Sequence, residues 1–158
     1  MSLGLFVARA DAAEDDEARI GARLDAFHAA AAGAQFDAYF DAFAADGIFI
    51  GTDAGERWTV AEFKAYAKPV FDRGRGWTYT PTERHVNVAS EGGHASFDEL
   101  LFSAKYGVCR GTGVLRLIAG EWKIEQYVLT LPIPNALAAE VVKRIRNATP
   151  DAAEASKE

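Results

Sequence analysis

Cysteine and long apolar runs are nearly absent from the sequence, and each absence excludes a class of protein. The one cysteine, Cys109, rules out an internal disulfide and predicts a reducing, cytoplasmic location. No base lies near Cys109 in the sequence, so we interpret it as a core residue and not as a nucleophile. No apolar run approaches the roughly 20 residues that a membrane-spanning helix needs, and we therefore expect no membrane partner.

Clusters of basic residues are also missing. Lys and Arg total 17 against 23 Asp and Glu, and the resulting net charge of -6 argues against nucleic-acid binding. The three histidines, His28, His85 and His94, fall in a predicted helix, strand and turn, without the clustered spacing of a metal site. The glycine-bounded loop 51–55 lacks the spacing and the lysine of a phosphate-binding loop. We therefore predict no metal and no cofactor.

The chain has the length of one ordinary domain, and its 49% of hydrophobic residues is sufficient for a packed core. We predict a mobile N-terminal arm over residues 1–14, a single domain over residues 15–146 and a disordered tail over residues 147–158. The arm holds a six-residue apolar stretch with no basic region before it, which makes it a poor signal peptide.

Apolar residues at helical spacing predict two helices near the start of the domain. In the first, residues 15–32, one stripe holds Ile20, Leu24, Phe27 and Ala31. In the second, residues 35–45, one side holds Phe36, Tyr39, Phe40 and Phe43. We mark Tyr39 as a pocket candidate, because a buried phenol needs a partner for its hydroxyl. Thr59 and Glu62 form a capping-box pattern, which predicts a third helix beginning at Val60.

From Trp77 onwards the hydrophobic pattern has a period of two, and short turns separate four segments. We predict strands over residues 78–89, 95–104, 108–118 and 121–131, joined as an antiparallel meander. A short strand at residues 48–50 precedes the third helix, and a short helix over residues 136–146 follows the last strand. This order predicts an α+β fold, a cone-shaped barrel of N-terminal helices packed in a curved, mainly antiparallel sheet.

The hairpin of residues 109–130 fixes which side chains face the helices, provided that no bulge interrupts it. Two-residue turns at Ala119-Gly120 and Tyr106-Gly107 set the register of three strands, and the turn at residues 92–93 adds the fourth. The predicted inner face then presents His85, Asn87, Asp98, Leu100, Phe102, Gly111, Gly113, Trp122, Ile124 and Gln126.

This predicted inner face combines polar side chains with two glycines, which is the composition of a pocket wall. A buried polar group without a partner costs roughly 1 to 3 kcal/mol. Gly111 and Gly113 leave room beside Gln126, and a fully packed core would fill that room with leucine or valine. The alternative is that the glycines serve strand curvature and that the polar groups satisfy one another.

The opposite face of the predicted sheet carries an apolar patch. An exposed patch of this size marks an interface, so we predict a homodimer packed sheet to sheet. The patch contains Val86, Val88, Phe97, Leu101, Val114, Tyr127 and Leu129, with Arg84, Glu99 and Arg110 among them.

Four segments resemble the SnoaL-like domain proteins of the nuclear transport factor two-like superfamily. They are GTDAGERW (51–58), GWTYTPTERHV (76–86), FDELLFSAKYGVCRGTGVL (97–115) and EWKIEQYVLTLPIPN (121–135). The resemblance covers about residues 15–145 and implies a cone with an internal cavity, in which the superfamily's enzymes use an aspartate or histidine as general base. It implies His85 as proton carrier, Asp98 as its orienting group, and Asp53, Glu56 and Trp58 at the mouth. The aspartate-tyrosine pattern of the ketosteroid isomerases and the aspartate-arginine-aspartate pattern of the epoxide hydrolases do not match residue by residue.

Two functions fit this sequence. The first is a dimeric protein whose pocket binds a small molecule, without a particular reaction being indicated. The second is a cofactor-independent acid-base enzyme, of isomerase, cyclase or dehydratase type, acting on a small apolar carbonyl compound. A perturbed pKa at His85 or Asp98 would favour the enzyme, whereas mutually saturated polar groups would favour binding.

Overall fold

The computed structural model describes residues 3–148, with side chains described from residue 15 onwards. In chain order this part forms α1 (Leu3–Ala32), α2 (Phe36–Asp41), β1 (Phe43–Ile50), β2 (Arg57–Thr59), α3 (Val60–Phe71), β3 (Thr80–Val88), β4 (His94–Ser103), β5 (Gly107–Ile118), β6 (Glu121–Thr130), a 3-10 helix (Asn135–Leu137) and α4 (Ala138–Ala148). Helix α1 begins earlier than the predicted residue 15, so residues 3–14 of the predicted arm are helical. Of the predicted disordered tail, residues 149–158 lie outside the described part. No helix within residues 3–148 is both long enough and apolar enough to cross a membrane.

The strands form one sheet in the order β2-β1-β6-β5-β4-β3. Strands β1 and β6 are parallel, and the other neighbours are antiparallel. Helix α1 packs against β3 and β6, and α3 packs against β1 and β2. The predicted α+β cone of N-terminal helices in a curved, mainly antiparallel sheet is therefore confirmed. The predicted meander is confirmed too, because β3 to β6 begin and end within two residues of the predicted bounds.

Local sequence signals account for the two long helices. The predicted stripe of α1 is buried along its whole length: Ile20, Leu24, Phe27 and Ala31. The capping box at the start of α3 is present, since the Thr59 amide donates to Glu62 Oε2 (2.8 Å) and the Glu62 amide donates to Thr59 Oγ1 (3.3 Å). These contacts fix the direction in which α3 leaves the preceding loop.

The predicted second helix, in contrast, is too long. Helix α2 ends at Asp41, and β1 begins at Phe43 and pairs in parallel with β6. The aromatic residues fit the helical period as far as Phe43, so periodicity alone does not show the change. Pairing with a strand distant in sequence overrides the local preference.

The turn between β5 and β6 has the predicted register, but a bulge follows it. Leu117 lies opposite Trp122, and Leu115 lies opposite Ile124, as expected. Beyond this point β6 contains one extra residue, Glu125, and every later residue is turned over. Gln126 therefore faces outward, where an inward position was predicted, and Tyr127 faces the core.

The turn between β4 and β5 also differs from the prediction. Ser103 pairs with Gly107, so the loop consists of the three residues 104–106, and Gly107 takes a positive φ of 73°. The assumed two-residue turn gave β4 the wrong register and the wrong face. Asp98, Leu100 and Phe102 alternate outward, whereas Glu99 and Leu101 are buried.

Strand β3 is turned over in the same way, because His85 pairs with Asp98 and Arg84 pairs with Glu99. The predicted outer patch was therefore wrong, because most of it lines the core. The residues that face inward are Arg84, Val86, Val88, Phe97, Glu99, Leu101, Tyr127 and Leu129. Val114 and Arg110 keep the predicted outward position.

The room beside Gly111 and Gly113 is filled. A Cβ at Gly111 would collide with the Tyr127 hydroxyl and approach Glu99 Oε1 to 3.0 Å. A Cβ at Gly113 would collide with the backbone carbonyl oxygen of Gln126 and would meet the Phe97 ring at 2.7 Å. Gly111 therefore admits an aromatic side chain, Gly113 admits both a ring and the backbone of the bulged strand, and neither glycine lines an open space.

Candidate functional site

A cavity of about 640 Å³ opens between α3, the loop 51–58, the segment 76–80 and the turn after β4. Its volume lies within the usual range for small-molecule sites, about 300 to 1,000 Å³. Eight aromatic side chains line it: Phe49, Trp58, Phe63, Tyr66, Trp77, Tyr79, Phe102 and Tyr106. The lining also contains one carboxylate, Glu56, and one ammonium group, Lys105. The cavity is therefore a mainly aromatic chamber with few charged groups.

Several of these rings lie nearly parallel to one another. The Trp58 and Phe63 rings are inclined by 5°, with centroids 5.6 Å apart. Phe49 stacks on Phe63 at 4.0 Å and 16°, and Tyr66 stacks on Trp58 at 4.7 Å and 24°. These rings contact one another, so one side of the chamber is a single stacked aromatic cluster.

A second, much smaller void of about 20 Å³ lies deeper in the cone. Four residues line both spaces: Phe49, Trp77, Tyr79 and Leu129. The inner void is also bordered by Phe27, His28, Ala31, Tyr39 and Tyr127. It is large enough for about one water molecule, and it lies between the residues shared with the chamber and the polar groups of the core.

Glu99 is the centre of those polar groups. Its side chain has no exposed surface. His28 Nε2 lies 2.6 Å from Oε1, the Tyr127 hydroxyl donates to the same oxygen at 3.0 Å, and Arg84 Nε donates to Oε2 at 2.9 Å. Arg84 also donates to Asp25 Oδ1 at 2.8 Å, which extends the network to the surface of α1. Helix α1 and strands β3, β4 and β6 therefore meet at one buried carboxylate.

The environment keeps Glu99 ionised. Burial alone would raise the pKa of Glu99, but the hydrogen bonds and charges of His28 and Arg84 outweigh burial and hold its pKa below the ordinary value. An ionised carboxylate only accepts hydrogen bonds, so the proton between the two side chains belongs to His28 Nε2. Burial, and then the Glu99 charge, raise the pKa of the Tyr127 phenol well above its ordinary range, so Tyr127 stays a donor.

Two further phenols, Tyr39 and Tyr79, border these spaces. Burial raises the pKa of Tyr39 well above its ordinary value, and a hydrogen bond with Trp77 opposes that effect. Burial also raises the pKa of Tyr79 to about 12, with smaller effects from Cys109, Tyr106 and Glu56. Both side chains are therefore neutral hydrogen-bonding groups at neutral pH.

His85 and Asp98, the catalytic candidates of the sequence analysis, are neighbours on the outer face of the sheet. The His85 side chain is 60% exposed, and its Nε2 lies 2.8 Å from Glu83 Oε1. The hydrogen bond to Glu83, and then the Asp98 charge, raise the pKa of His85. Neither residue borders either cavity, so the chemistry that was predicted for this pair has no access to an enclosed ligand.

Only some of the residues that were predicted to line the pocket border one of the two cavities. Glu56, Trp58 and Phe102 border the chamber, and Tyr39 borders the inner void. The others do not border these spaces: Asp53, whose Oδ1 accepts from the Gly55 amide; Asn87, Leu100 and Gln126, which lie on the outer face; Trp122, which donates to Asp16; Ile124, which is packed in the core; and Gly111 and Gly113, whose room is filled.

His28, Arg84, Glu99 and Tyr127 were not among the predicted site residues. The sequence of β4 does indicate that Glu99 is buried. Glu99 is two residues from Phe97 and two from Leu101, so all three side chains lie on the same face of the strand. Large apolar residues on both sides of a charged residue indicate that this face is inside. Among the side chains of residues 15–148, no group of three or more potential ligands has the arrangement of a metal site.

We predict that Glu99→Gln reduces the free energy of unfolding at pH 7 by about 3 to 5 kcal/mol, because it removes the buried charge that pairs with Arg84 and leaves Arg84 with the exposed carboxylate of Asp25. The folded-state pKa of Glu99 lies below its ordinary value of 4.5, so its stabilisation is present above that pH and is lost as the pH falls through the folded-state pKa. Urea unfolding between pH 7 and pH 3 should therefore show a smaller loss of stability in the variant than in the wild type.

The matched control is Glu83→Gln, which alters an exposed glutamate paired with a histidine at a similar distance. We expect no measurable change in unfolding for this control. Equal effects of the two substitutions would contradict the assignment of Glu99 as the organising charge.

The family model of the SnoaL-like domain matches residues 20–134. No curated protein matches the sequence. The family model covers most of the chain, and this match is sufficient to assign the family.

Solved structures with the same fold are similar over most of their length. A nuclear transport factor two-like protein of unknown function from Pseudomonas putida has a TM-score of 0.65 at 14% identity, and the match covers 77% of this chain and 90% of that chain. A candidate scytalone dehydratase from Novosphingobium aromaticivorans has a TM-score of 0.67 at 12% identity, covering 78% and 89%. A nuclear transport factor two-like protein with a cystatin-like fold, from the same organism, has a TM-score of 0.62 at 16% identity, covering 88% and 96%. At these identities the likeness shows the fold alone. The family match shows that this chain belongs to the SnoaL-like domain family.

Proposed function

We propose that the protein binds a small, flat and mainly apolar compound in the aromatic chamber. The observation that carries this proposal is the chamber itself, about 640 Å³ in volume and bounded by eight aromatic side chains. The volume is that of a small-molecule site, and a concave, mainly apolar pocket with a few polar groups is the usual form of such a site. The aromatic wall favours a ring-containing ligand, which can stack on it or meet it edge to face.

The relatives are consistent with such a site. They include a candidate scytalone dehydratase and a candidate dehydratase from Streptomyces avermitilis, both of which share the fold at low identity. Such identities carry no residue roles to this chain. They support only the expectation that a cone of this kind encloses a small molecule.

We expect 2-naphthol to bind in the chamber and to quench tryptophan fluorescence, because Trp58 and Trp77 border the space. Trp58→Ala should weaken the binding about tenfold, since it removes a stacking face worth roughly 0.5 to 1.5 kcal/mol together with buried area. Fluorescence titration and calorimetry measure both quantities.

Trp122→Phe is the control, because Trp122 is buried outside the chamber, where its Nε1 donates to Asp16. Its dissociation constant should equal that of the wild type. Absence of binding by either method, with a folded protein, would contradict the proposed function.

A second candidate function is acid-base catalysis without a cofactor, on a small apolar carbonyl compound. The observation that favours it is the position of His28, whose ring borders the inner void while Glu99 holds its Nε2 proton. A carboxylate that fixes one imidazole nitrogen leaves the other to exchange a proton with a ligand in the chamber, through one water molecule in the inner void. In this role Glu99 is a positioning residue and His28 is the acid-base group.

The test begins with compounds that co-purify with the protein, identified by native mass spectrometry, and then measures their turnover. We predict that His28→Asn lowers kcat by about 10² to 10⁴, the usual contribution of a general acid-base group. His85→Asn should leave kcat unchanged, because His85 is exposed on the outer face. The opposite pattern, with His85 required and His28 dispensable, would refute this assignment.

We also propose that the protein forms a homodimer. The interface would consist of residues on the outer face of the sheet, which differ from those predicted from the sequence. The outer face of the sheet carries the partly exposed apolar side chains Ile48, Ile50, Leu100, Val114 and Val128. Apolar residues at the middle of a sheet face support packing against a second copy. A cytoplasmic location is proposed with it, supported by Cys109, a buried free thiol.

Light scattering after gel filtration should give twice the mass of one chain, and Val114→Glu should give a monomer because it places a charge in the apolar face. Asn87→Glu, near the sheet edge, is the control and should remain dimeric. A monomeric wild type at micromolar concentration would remove the dimer from the proposal.

A further inference from the structure

Glu56 is a carboxylate at the chamber whose position the backbone fixes. The Gly51 amide donates to the Glu56 carbonyl at 2.8 Å, and the Asp53 amide donates to Glu56 Oε2 at 3.2 Å. A Cβ at position 51 would collide with the carboxylate, so the glycine is what allows the side chain to lie there. The loop therefore holds the carboxylate in one place beside the cavity, which it borders.

Within residues 15–148, no cation forms an ion pair with this carboxylate. None of the ion pairs among residues 15–148 includes Glu56. Lys105, the one cation of the lining, lies over the Tyr106 ring with Nζ 4.7 Å from the centroid. Burial is the main cause of the raised pKa of the Tyr79 phenol, and the charge of Glu56 adds the smallest contribution.

The surrounding aromatic rings, like Glu56, favour a positively charged ligand. The face of an aromatic ring attracts cations, and indole does so most strongly. Trp58, which follows Glu56 by two residues, and Trp77 both border the chamber. The chain as a whole carries a net charge of -6, which adds to the attraction for a cation and opposes an anion.

We propose that the chamber recognises an organic cation, an amine or ammonium group carried on a flat apolar body, with its positive end at Glu56. This inference rests on the proposed function and adds the charge of the ligand to its shape. The rings hold the apolar body, and Glu56 supplies a charged hydrogen-bond acceptor that a neutral or anionic compound cannot use fully.

An anionic ligand held by Lys105 is the competing arrangement. Lys105 lies in the exposed turn between β4 and β5, and its long side chain is already placed over Tyr106. Ordering it on an anion would cost side-chain entropy, whereas Glu56 is held in place before a ligand arrives. The geometry therefore favours the cation.

A matched series tests the charge directly: 2-(2-naphthyl)ethylamine, 2-(2-naphthyl)ethanol and 2-naphthylacetate share one ring system and differ in charge. By calorimetry at pH 7 and low salt, we expect the amine to bind about tenfold more tightly than the alcohol and the acid to bind most weakly. Glu56→Gln, which keeps an acceptor for the Asp53 amide, should bring the amine to the affinity of the alcohol and leave the alcohol unchanged.

Glu83→Gln, an exposed carboxylate on the outer face, is the control and should keep the preference for the amine. An alcohol that binds as tightly as the amine to the wild type overturns the inference but leaves the proposed function standing. An acid that binds most tightly, and loses its affinity in Lys105→Met, also overturns it. If none of the three compounds binds to the folded wild type, the proposed function fails together with the inference.

Discussion

A carboxylate in the middle of the core is the constraint on which the rest of this structure depends. Glu99 has no exposed surface, and an unpaired charge in that position would cost several kcal/mol. Its partners come from three elements: His28 from α1, Arg84 from β3 and Tyr127 from β6. Displacement of any one of these elements removes a hydrogen bond from a buried charge, so the helix and the sheet are stable only together.

The backbone of the neighbouring strands is adapted to this carboxylate. The extra residue Glu125 in β6 turns Tyr127 inward, and Gly111, which pairs with Glu99, leaves the space that the Tyr127 hydroxyl occupies. A side chain at position 111 would push the phenol away from its acceptor. The bulge and the glycine are therefore parts of one arrangement, whose result is a third hydrogen-bond partner for the buried charge.

The sequence was sufficient to predict α3 and the strands β3 to β6 with nearly their observed bounds, because period, caps and turns are local signals. Strand β2 and the beginning of β1 at Phe43 were not predicted, because both depend on pairing with other strands. The sequence was also not sufficient to predict which strand faces point inward, because one bulge and one extra loop residue each reverse a face. The composition of the faces contained the missing information. The face with Phe97, Leu101, Tyr127 and Leu129 is the more apolar one, and Glu99 within it indicated a buried charge with partners, not a surface. The open chamber depends on loop and helix positions that no local pattern reports.

Two glutamates of this protein show why burial alone does not identify a functional carboxylate. Glu99 is fully buried, but three side chains satisfy its oxygens, so most of its binding capacity is used in holding the fold. Glu56 is only partly buried, yet the loop holds it beside a cavity with one amide on its carboxylate and no ion pair among residues 15–148. A charge that the fold positions but does not neutralise is free to interact with a ligand. The degree of saturation, more than depth, therefore separates the structural carboxylate from the one that recognises a ligand.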